Sequence, residues 1–193
     1  DQIEIVHHAT GEPVARVSQA NAGLINRDIA RMEHGVLESF TMQQLLAMCL
    51  DRNTGAVYWS HNVGSGYQAG GAGTPTQLDD KSNYASPSPV ADGKRVVFLY
   101  GNGDLMALAP EDGHKLWSRN LQKDYGDFTM QWTYSASPTL YQNKLYVPVQ
   151  QRDQIVHGRG KNGNECFLLC IDPDSGQTVW RHVRPSNAKM ESL

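Results

Sequence analysis

Cys170-Ile-Asp-Pro-Asp-Ser-Gly-Gln-Thr-Val-Trp180 is the stretch on which the reading of this 193-residue chain turns. It is an apolar strand end, a polar turn with Asp at its start and Gly at its close, and a second short strand that finishes on Trp. The same pattern stands without a gap at Cys49-Leu-Asp-Arg-Asn-Thr-Gly-Ala-Val-Tyr-Trp59 and at Ala107-Leu-Ala-Pro-Glu-Asp-Gly-His-Lys-Leu-Trp117. The three Trp positions are 58 and 63 residues apart. A period of this length marks an architecture built from repeated supersecondary units.

Each segment has a physical reading. Leu50, Leu108 and Ile171 end one strand. Gly55, Gly113 and Gly176 fall where a left-handed backbone would strain any residue with a side chain. Asp51 and Asp172 are placed to accept hydrogen bonds from the turn amides; the second copy carries Ala109 there instead. Upstream, Ser88-Pro89-Val90 and Ser137-Pro138-Thr139 each precede a turn (Asp92-Gly93, Gln142-Asn143) and an apolar strand (Arg95 to Tyr100, Lys144 to Val149). Each unit therefore reads as a four-stranded antiparallel meander, clearest in the third as 136–141, 144–151, 166–172 and 178–182. Four-stranded units repeating at this period are blades, and the fold class expected is all-β, a partial β-propeller.

The blades are expected at 1–62 (degenerate or partial), 84–121 and 135–184, all within one partial propeller domain spanning 1–193. A closed ring takes about 4–8 blades. The sequence supplies two and the second half of another, so it reads as an internal piece of a longer propeller whose remaining blades complete the ring; assembly from several short chains is the alternative. The first 42 residues fit the repeat poorly. Gln2–Val6 alternates like a strand, 11–17 reads as turn then strand, and Ile29, Met32, Val36, Leu37 and Phe40 have helical spacing, with strand or loop favoured there from the position in the repeat. Residues 64–82 read as a Gly-rich loop between blades, and 152–165 as a long hairpin loop.

The three segments resemble the tryptophan-docking motif of quinoprotein propellers, Ala-x-Asp-x-x-x-Gly-x-x-x-Trp. That resemblance implies that Trp59, Trp117 and Trp180 pack against the neighbouring blade and lock the ring. Over roughly 46–193, Asn83-Tyr-Ala-Ser-Pro-Ser-Pro-Val90, Tyr100-Gly-Asn-Gly-Asp104, Leu121-Gln-Lys-Asp-Tyr-Gly126 and Trp180-Arg-His-Val-Arg-Pro-Ser186 are similar to pyrroloquinoline-quinone (PQQ)-like repeat proteins, exported propellers abundant in planctomycetes and related bacteria. The resemblance implies a periplasmic or secreted location and carries little chemistry, because the family is defined by its fold.

Composition narrows the functions further. The formal charge is −3 with acidic and basic residues intermixed. No basic stripe points to nucleic acid, and no apolar run approaches the ~20 residues of a membrane span. Three cysteines leave at least one thiol without an internal partner. Cys166 and Cys170, four apart on one strand, would be separated by roughly 13 Å, beyond disulfide reach, so all three cysteines read as buried, apolar-like thiols.

The chemical motifs are thin. Gly158-Arg-Gly-Lys-Asn-Gly163 matches Gly-x-Gly-x-x-Gly in letters, but a strand follows it and not the helix that a dinucleotide site requires; it reads as a basic hairpin tip. The seven histidines show no metal spacing. Asp79-Asp80 and the Asp124/Asp127 pair read as solvated loop carboxylates, short of a calcium loop. The best candidate ligand face is the crossover 123–134, through Tyr125, Asp127 and Trp132, joined by His157 on the long hairpin loop; the competing reading packs Phe128, Trp132 and Tyr134 between blades. The function that needs only what is evident is a non-enzymatic scaffold binding protein, peptide or glycan. A PQQ-dependent dehydrogenase, holding PQQ with Ca²⁺, is the second reading; it lacks an adjacent Cys pair and an assignable Glu/Asn/Asp ligand set here. A propeller like the outer-membrane assembly lipoprotein, which binds protein partners through strands, is the third.

Overall fold

The computed structural model describes residues 2–6, 13–18, 45–70 and 84–185. The chain divides into two compact units, Asp1–Thr41 and Met42–Leu193. In the first, β1 (Gln2–Val6) and β2 (Pro13–Ser18) form an antiparallel pair with a bulge at Ile5/Val6. The stretch of helical spacing at 29–40, His7, His8 and His34, the Asp79-Asp80 pair and most of the loop 64–82 lie outside the described residues.

The second unit holds the repeat. β3 (Leu46–Leu50) pairs with β4 (Val57–Asn62). β5 (Val90–Ala91), β6 (Val96–Leu99), β7 (Asp104–Leu108) and β8 (Lys115–Asn120) follow as a four-stranded sheet in sequence order. β9 (Thr139–Tyr141), β10 (Lys144–Val149), β11 (Cys166–Ile171) and β12 (Thr178–Arg184) repeat that sheet. Among the described residues these are one half-blade and two whole blades, all antiparallel, and the fold is a partial β-propeller. The expected first blade, 1–62, is spread over both units, with β1 and β2 in one and β3 and β4 in the other.

The motif hairpins share one irregularity. Register shifts between Cys49 and Leu50, Ala107 and Leu108, and Cys170 and Ile171, so that Tyr58, Leu116 and Val179 are the extra residues of three equivalent bulges. The bulge explains two features of the motif. The Trp stands directly across from the small residue (Cys49↔Trp59, Ala107↔Trp117, Cys170↔Trp180), where a large side chain would compete with the indole for the same face. The extra residue points outward, and all three are exposed.

Two apolar layers lie between the blades. One face of β3/β4 (Ala47, Trp59) meets Tyr100, Met106 and Leu108 of the second blade. The opposite face of that blade (Val97, Leu99, Leu105, Ala107) meets Leu145, Val147, Phe167, Leu169 and Ile171 of the third, with Trp117 packed at its margin. Each middle strand alternates between two neighbours, so β7 is buried along its whole length. The crossover out of the second blade starts as a helix and not as loop. Asn120 caps α1 (Leu121–Tyr125), its side chain accepting from the amides of Gln122 and Lys123 at 3.0 Å each.

Cys166 and Cys170 are buried in β11, while Cys49, on the edge hairpin, is half-buried; all three are free thiols. Cys49 therefore departs from the fully buried thiol expected of it. In a native thiol titration Cys49 is expected to react first, with Cys166 and Cys170 reacting only on denaturation; three equally fast thiols would contradict this packing.

Candidate functional site

An antiparallel meander sends alternate connections to opposite ends of the blade, which separates two sets of loops. At one end lie the first-to-second and third-to-fourth strand turns, including the three motif turns. At the other lie the second-to-third strand loops (100–103 and 150–165) and the crossovers between blades.

At the motif end the geometry is repeated. The Trp59 indole N–H donates to the Pro110 carbonyl at 2.9 Å, and that of Trp117 donates to the Pro173 carbonyl at 2.8 Å. Each ring lies over the next blade's turn glycine. A Cβ built on Gly113 would stand 2.6 Å from Trp59, and one on Gly176 would stand 2.6 Å from Trp117. Gly55, Gly113 and Gly176 have φ of 73°, 72° and 70°, the left-handed region the turn requires. The residue two beyond each Trp adds a bond to the same turn. His61 Nε2 meets the Asp112 carbonyl at 3.0 Å, and Arg119 donates to the Gly176 carbonyl at 2.8 Å. Buried Arg95 reaches across from the second blade to Asp174 at 2.6 Å.

The turns themselves are closed by carboxylates. Asp51 accepts from the Asn53 and Thr54 amides at 2.9 and 2.7 Å, and Asp172 from those of Asp174 and Ser175 at 3.1 and 2.9 Å. The Tyr58 hydroxyl, then these turn donors, hold the Asp51 carboxyl far below the usual carboxylate range. Ser175, its backbone amide first, lowers the Asp172 carboxyl from the usual value. In the second copy, Ala109 has no such side chain, yet the backbone bonds Ala109 N–H to His114 and Gly113 N–H to Ala109 keep the turn, both at 2.9 Å. Trp180 differs from its two counterparts. It is 42% exposed, with its ring beside Tyr146 and no indole N–H bond to a turn carbonyl among the described residues.

At the loop end, the candidate residues are drawn into different roles. Tyr125 lies between blades. Its hydroxyl is 2.6 Å from the Thr178 hydroxyl, and its ring rests against Phe167 with the Arg119 and Arg181 guanidinium groups over it. It is partly buried by these contacts. Asp127 fastens the preceding crossover through the Tyr67 hydroxyl and the Gly70 amide; burial, then this carboxylate, pushes the Tyr67 phenol up. Phe128 and Tyr134 pack between blades, as the apolar reading of the crossover has it, whereas Trp132 is 51% exposed. His157 has φ of 51° in the tight turn Val156–Arg159 at the hairpin tip. That hairpin folds onto the crossover through Asn164, which donates to the Asp127 carbonyl at 3.0 Å, and through Thr129, whose hydroxyl donates to the Arg152 carbonyl. Asp127, Trp132 and His157 thus belong to neighbouring loops of one end, while Tyr125 is engaged by Thr178, Arg119 and Arg181.

Sequence reading reached Asp153 and Arg159 only as companions of His157 on the long loop, and overlooked Thr133. Thr133 Oγ1, Asp153 Oδ1 and Arg159 Nε are buried and hydrogen-bonded to nothing among the described residues. Buried polar atoms without partners are uncommon and concentrate at sites that receive something. Thr133, a lone hydroxyl in an aromatic-rich segment, carries no signal that would have marked it. A concavity of about 610 Å³ lies along β4 and β8, lined by His61, Ser65, Met106, Lys115, Ser118 and Lys123. No three His, Cys, Asp or Glu side chains converge on a metal-sized site among the described residues. Asp124 is taken by Arg119 at 2.7 Å, and Asp127 by Tyr67 and Gly70. Neither of these two carboxylates is therefore open to a cation in this arrangement.

The blades and their interlocked turns define a propeller of the PQQ-like repeat class. The family model described as outer membrane protein assembly factor BamB matches residues 2–192, and the chain belongs to that family. No curated protein matches the sequence. Similar solved structures include a europium-containing methanol dehydrogenase (14% identity, TM-score 0.48, covering 72% of this chain and 21% of that one). They also include the quinohemoprotein alcohol dehydrogenase of Comamonas testosteroni (14%, 0.45, 73% and 18%) and BamB from Moraxella catarrhalis (17%, 0.41, 71% and 30%). The chain spans less than a third of the length of each of these. No helix among the described residues is long and apolar enough to cross a membrane.

Proposed function

We propose that this chain is part of a non-enzymatic binding scaffold whose loop end, around Trp132, takes an extended protein segment, and that it works outside the cytoplasm. The observation that carries this reading is the exposed Trp132 beside a loop end with buried, unpartnered Thr133, Asp153 and Arg159 polar groups. A large aromatic with an open face supplies contact area, and unpartnered donors and acceptors supply direction. The family's description as an assembly factor for outer-membrane proteins favours a protein ligand over a glycan. Such clients are chains of alternating apolar and polar residues before they fold.

The test is titration of a synthetic strand peptide with that alternation, followed by tryptophan fluorescence, beside a neutral oligosaccharide and PQQ with Ca²⁺. Saturable peptide binding weakened at least about thirtyfold by Trp132→Ala, the effect of losing an aromatic anchor worth about 2 kcal/mol, supports the scaffold. Saturable PQQ binding that raises the melting temperature overturns it in favour of a dehydrogenase, and preference for the oligosaccharide overturns the choice of ligand.

A further inference from the structure

The two inter-blade layers are copies of one joint, yet one copy is filled between its outermost strands and the other is hollow. In the joint between the second and third blades, Arg119 and Arg181 take the space between β8 and β12. Arg119 donates to the Thr178 hydroxyl at 2.9 Å and to the Gly176 carbonyl at 2.8 Å, and the Arg181 guanidinium lies 4.4 Å over the Phe167 ring. The concavity beside Arg119 there is about 180 Å³. In the joint between the β3/β4 hairpin and the second blade, the equivalent positions, two beyond one Trp and one beyond the next, hold His61 and Ser118. Cross-strand partners share a face: Ser118 stands across from Met106 and Arg181 across from Leu169, so each projects into the joint before its own blade. An imidazole and a hydroxymethyl thus replace two guanidinium groups, and a trough of about 610 Å³ opens along β4 and β8. It lies between two packed elements and owes its volume to side-chain size.

Bonds across the joint bound the trough at both ends. At the motif end His61 Nε2 meets the Asp112 carbonyl at 3.0 Å, and at the other the Ser65 amide and hydroxyl donate to Asp104 at 2.9 and 2.6 Å. A bounded hollow of this volume suits a small molecule over a threaded protein chain. Its exposed lining is polar, with His61, Asn62 and Ser118 on the walls. Lys115 stands at the start of β8 and Lys123 beyond its end. Asp104, the carboxylate among the described lining residues, is buried and accepts from Ser65, Asn102 and Asn120, so the groups left for a ligand are cations and neutral polar side chains.

We propose that this trough binds a short acidic oligosaccharide, with a carboxylate toward each lysine and its hydroxyls against His61, Asn62 and Ser118. Three features select that class. The β8 wall from Lys115 to Asn120 is about 16 Å long, the length of roughly three sugars. Polar walls match a hydroxyl-bearing body better than an alkyl chain. A cation at each end matches an acid on each terminal sugar.

The experiment is calorimetric titration of the 193-residue chain with trigalacturonate, beside maltotriose, citrate and an Asp-rich peptide. Ser118→Arg refills the trough with the side chain that the other joint carries at that position. Lys115→Gln removes one cation at nearly constant volume. Trigalacturonate is expected to bind saturably, at least about tenfold more weakly in each variant, and more weakly as salt rises. No saturable binding overturns the proposal, and so does binding that both variants leave unchanged, which would place the ligand elsewhere. Maltotriose bound as tightly overturns the role of the acids, citrate bound as tightly reduces the trough to a simple anion patch, and a tighter peptide overturns the choice of ligand. Thermal melts of each variant separate lost binding from lost folding, and exposed Lys115 carries the test alone should Ser118→Arg fail to fold.

Discussion

Trp117→Ala is expected to destabilise the unit spanning 42–193 by about 3–5 kcal/mol, the range for truncating a packed Trp, while Trp180→Ala in the dilute monomer is expected to cost under about 1 kcal/mol. The residues hold equivalent positions, so motif membership predicts equal effects. The difference comes from what each ring meets. Trp117 packs over Gly176, donates to the Pro173 carbonyl and borders the apolar layer between the second and third blades. Removing it opens a void beside Leu105 and Ala107 and leaves a buried carbonyl without its donor. Trp180 is 42% exposed and packs beside Tyr146 of its own blade. Urea unfolding of the two variants at low micromolar concentration measures the contrast. Equal losses would mean that the Trp acts within its own blade and not across the joint.

The blades were legible because they rest on short-range rules. A turn closing on a left-handed glycine and an apolar alternation of period two suffice to place β11 and β12 within a residue or two. The bulge was not legible, although its cause is written in the sequence: the small residue at Cys49, Ala107 and Cys170 is the cross-strand partner of the Trp. Pairing register depends on twist between strands, which residue types report only indirectly. α1 was missed because five residues give too little periodicity, and its one local sign is the Asn120 cap. The loop end was the least legible. Tyr125 and Trp132 are seven apart in one aromatic-rich segment, and nothing in that spacing says that Arg119, Arg181 and Phe167 will enclose the first and leave the second open. Those contacts come from strands more than forty residues downstream and from the preceding blade, so the choice is made by tertiary packing.

Gly176→Ala is the second substitution with a large expected effect, and its comparison with Gly55→Ala divides that effect into two parts. Both glycines have φ near 70°, so both variants carry the left-handed penalty of about 1–2 kcal/mol. At Gly55 the added methyl meets nothing within 4 Å, and the penalty is the whole cost. At Gly176 it lies 2.6 Å from the fused-ring carbons Cδ2 and Cε3 of Trp117. That indole is held by its bond to Pro173 and cannot retreat without losing it, so overpacking adds about 1–3 kcal/mol. The joint can then be tested as a unit. In the double variant Trp117→Ala/Gly176→Ala, the new methyl points into space the indole has left, and the overpacking term vanishes. The double variant is expected to be less destabilised than the sum of the single variants by at least about 1 kcal/mol, a coupling typical of residues in direct contact. Additive losses would mean that the two side chains do not share the space the geometry assigns them, and that blade order is held by the apolar layer alone.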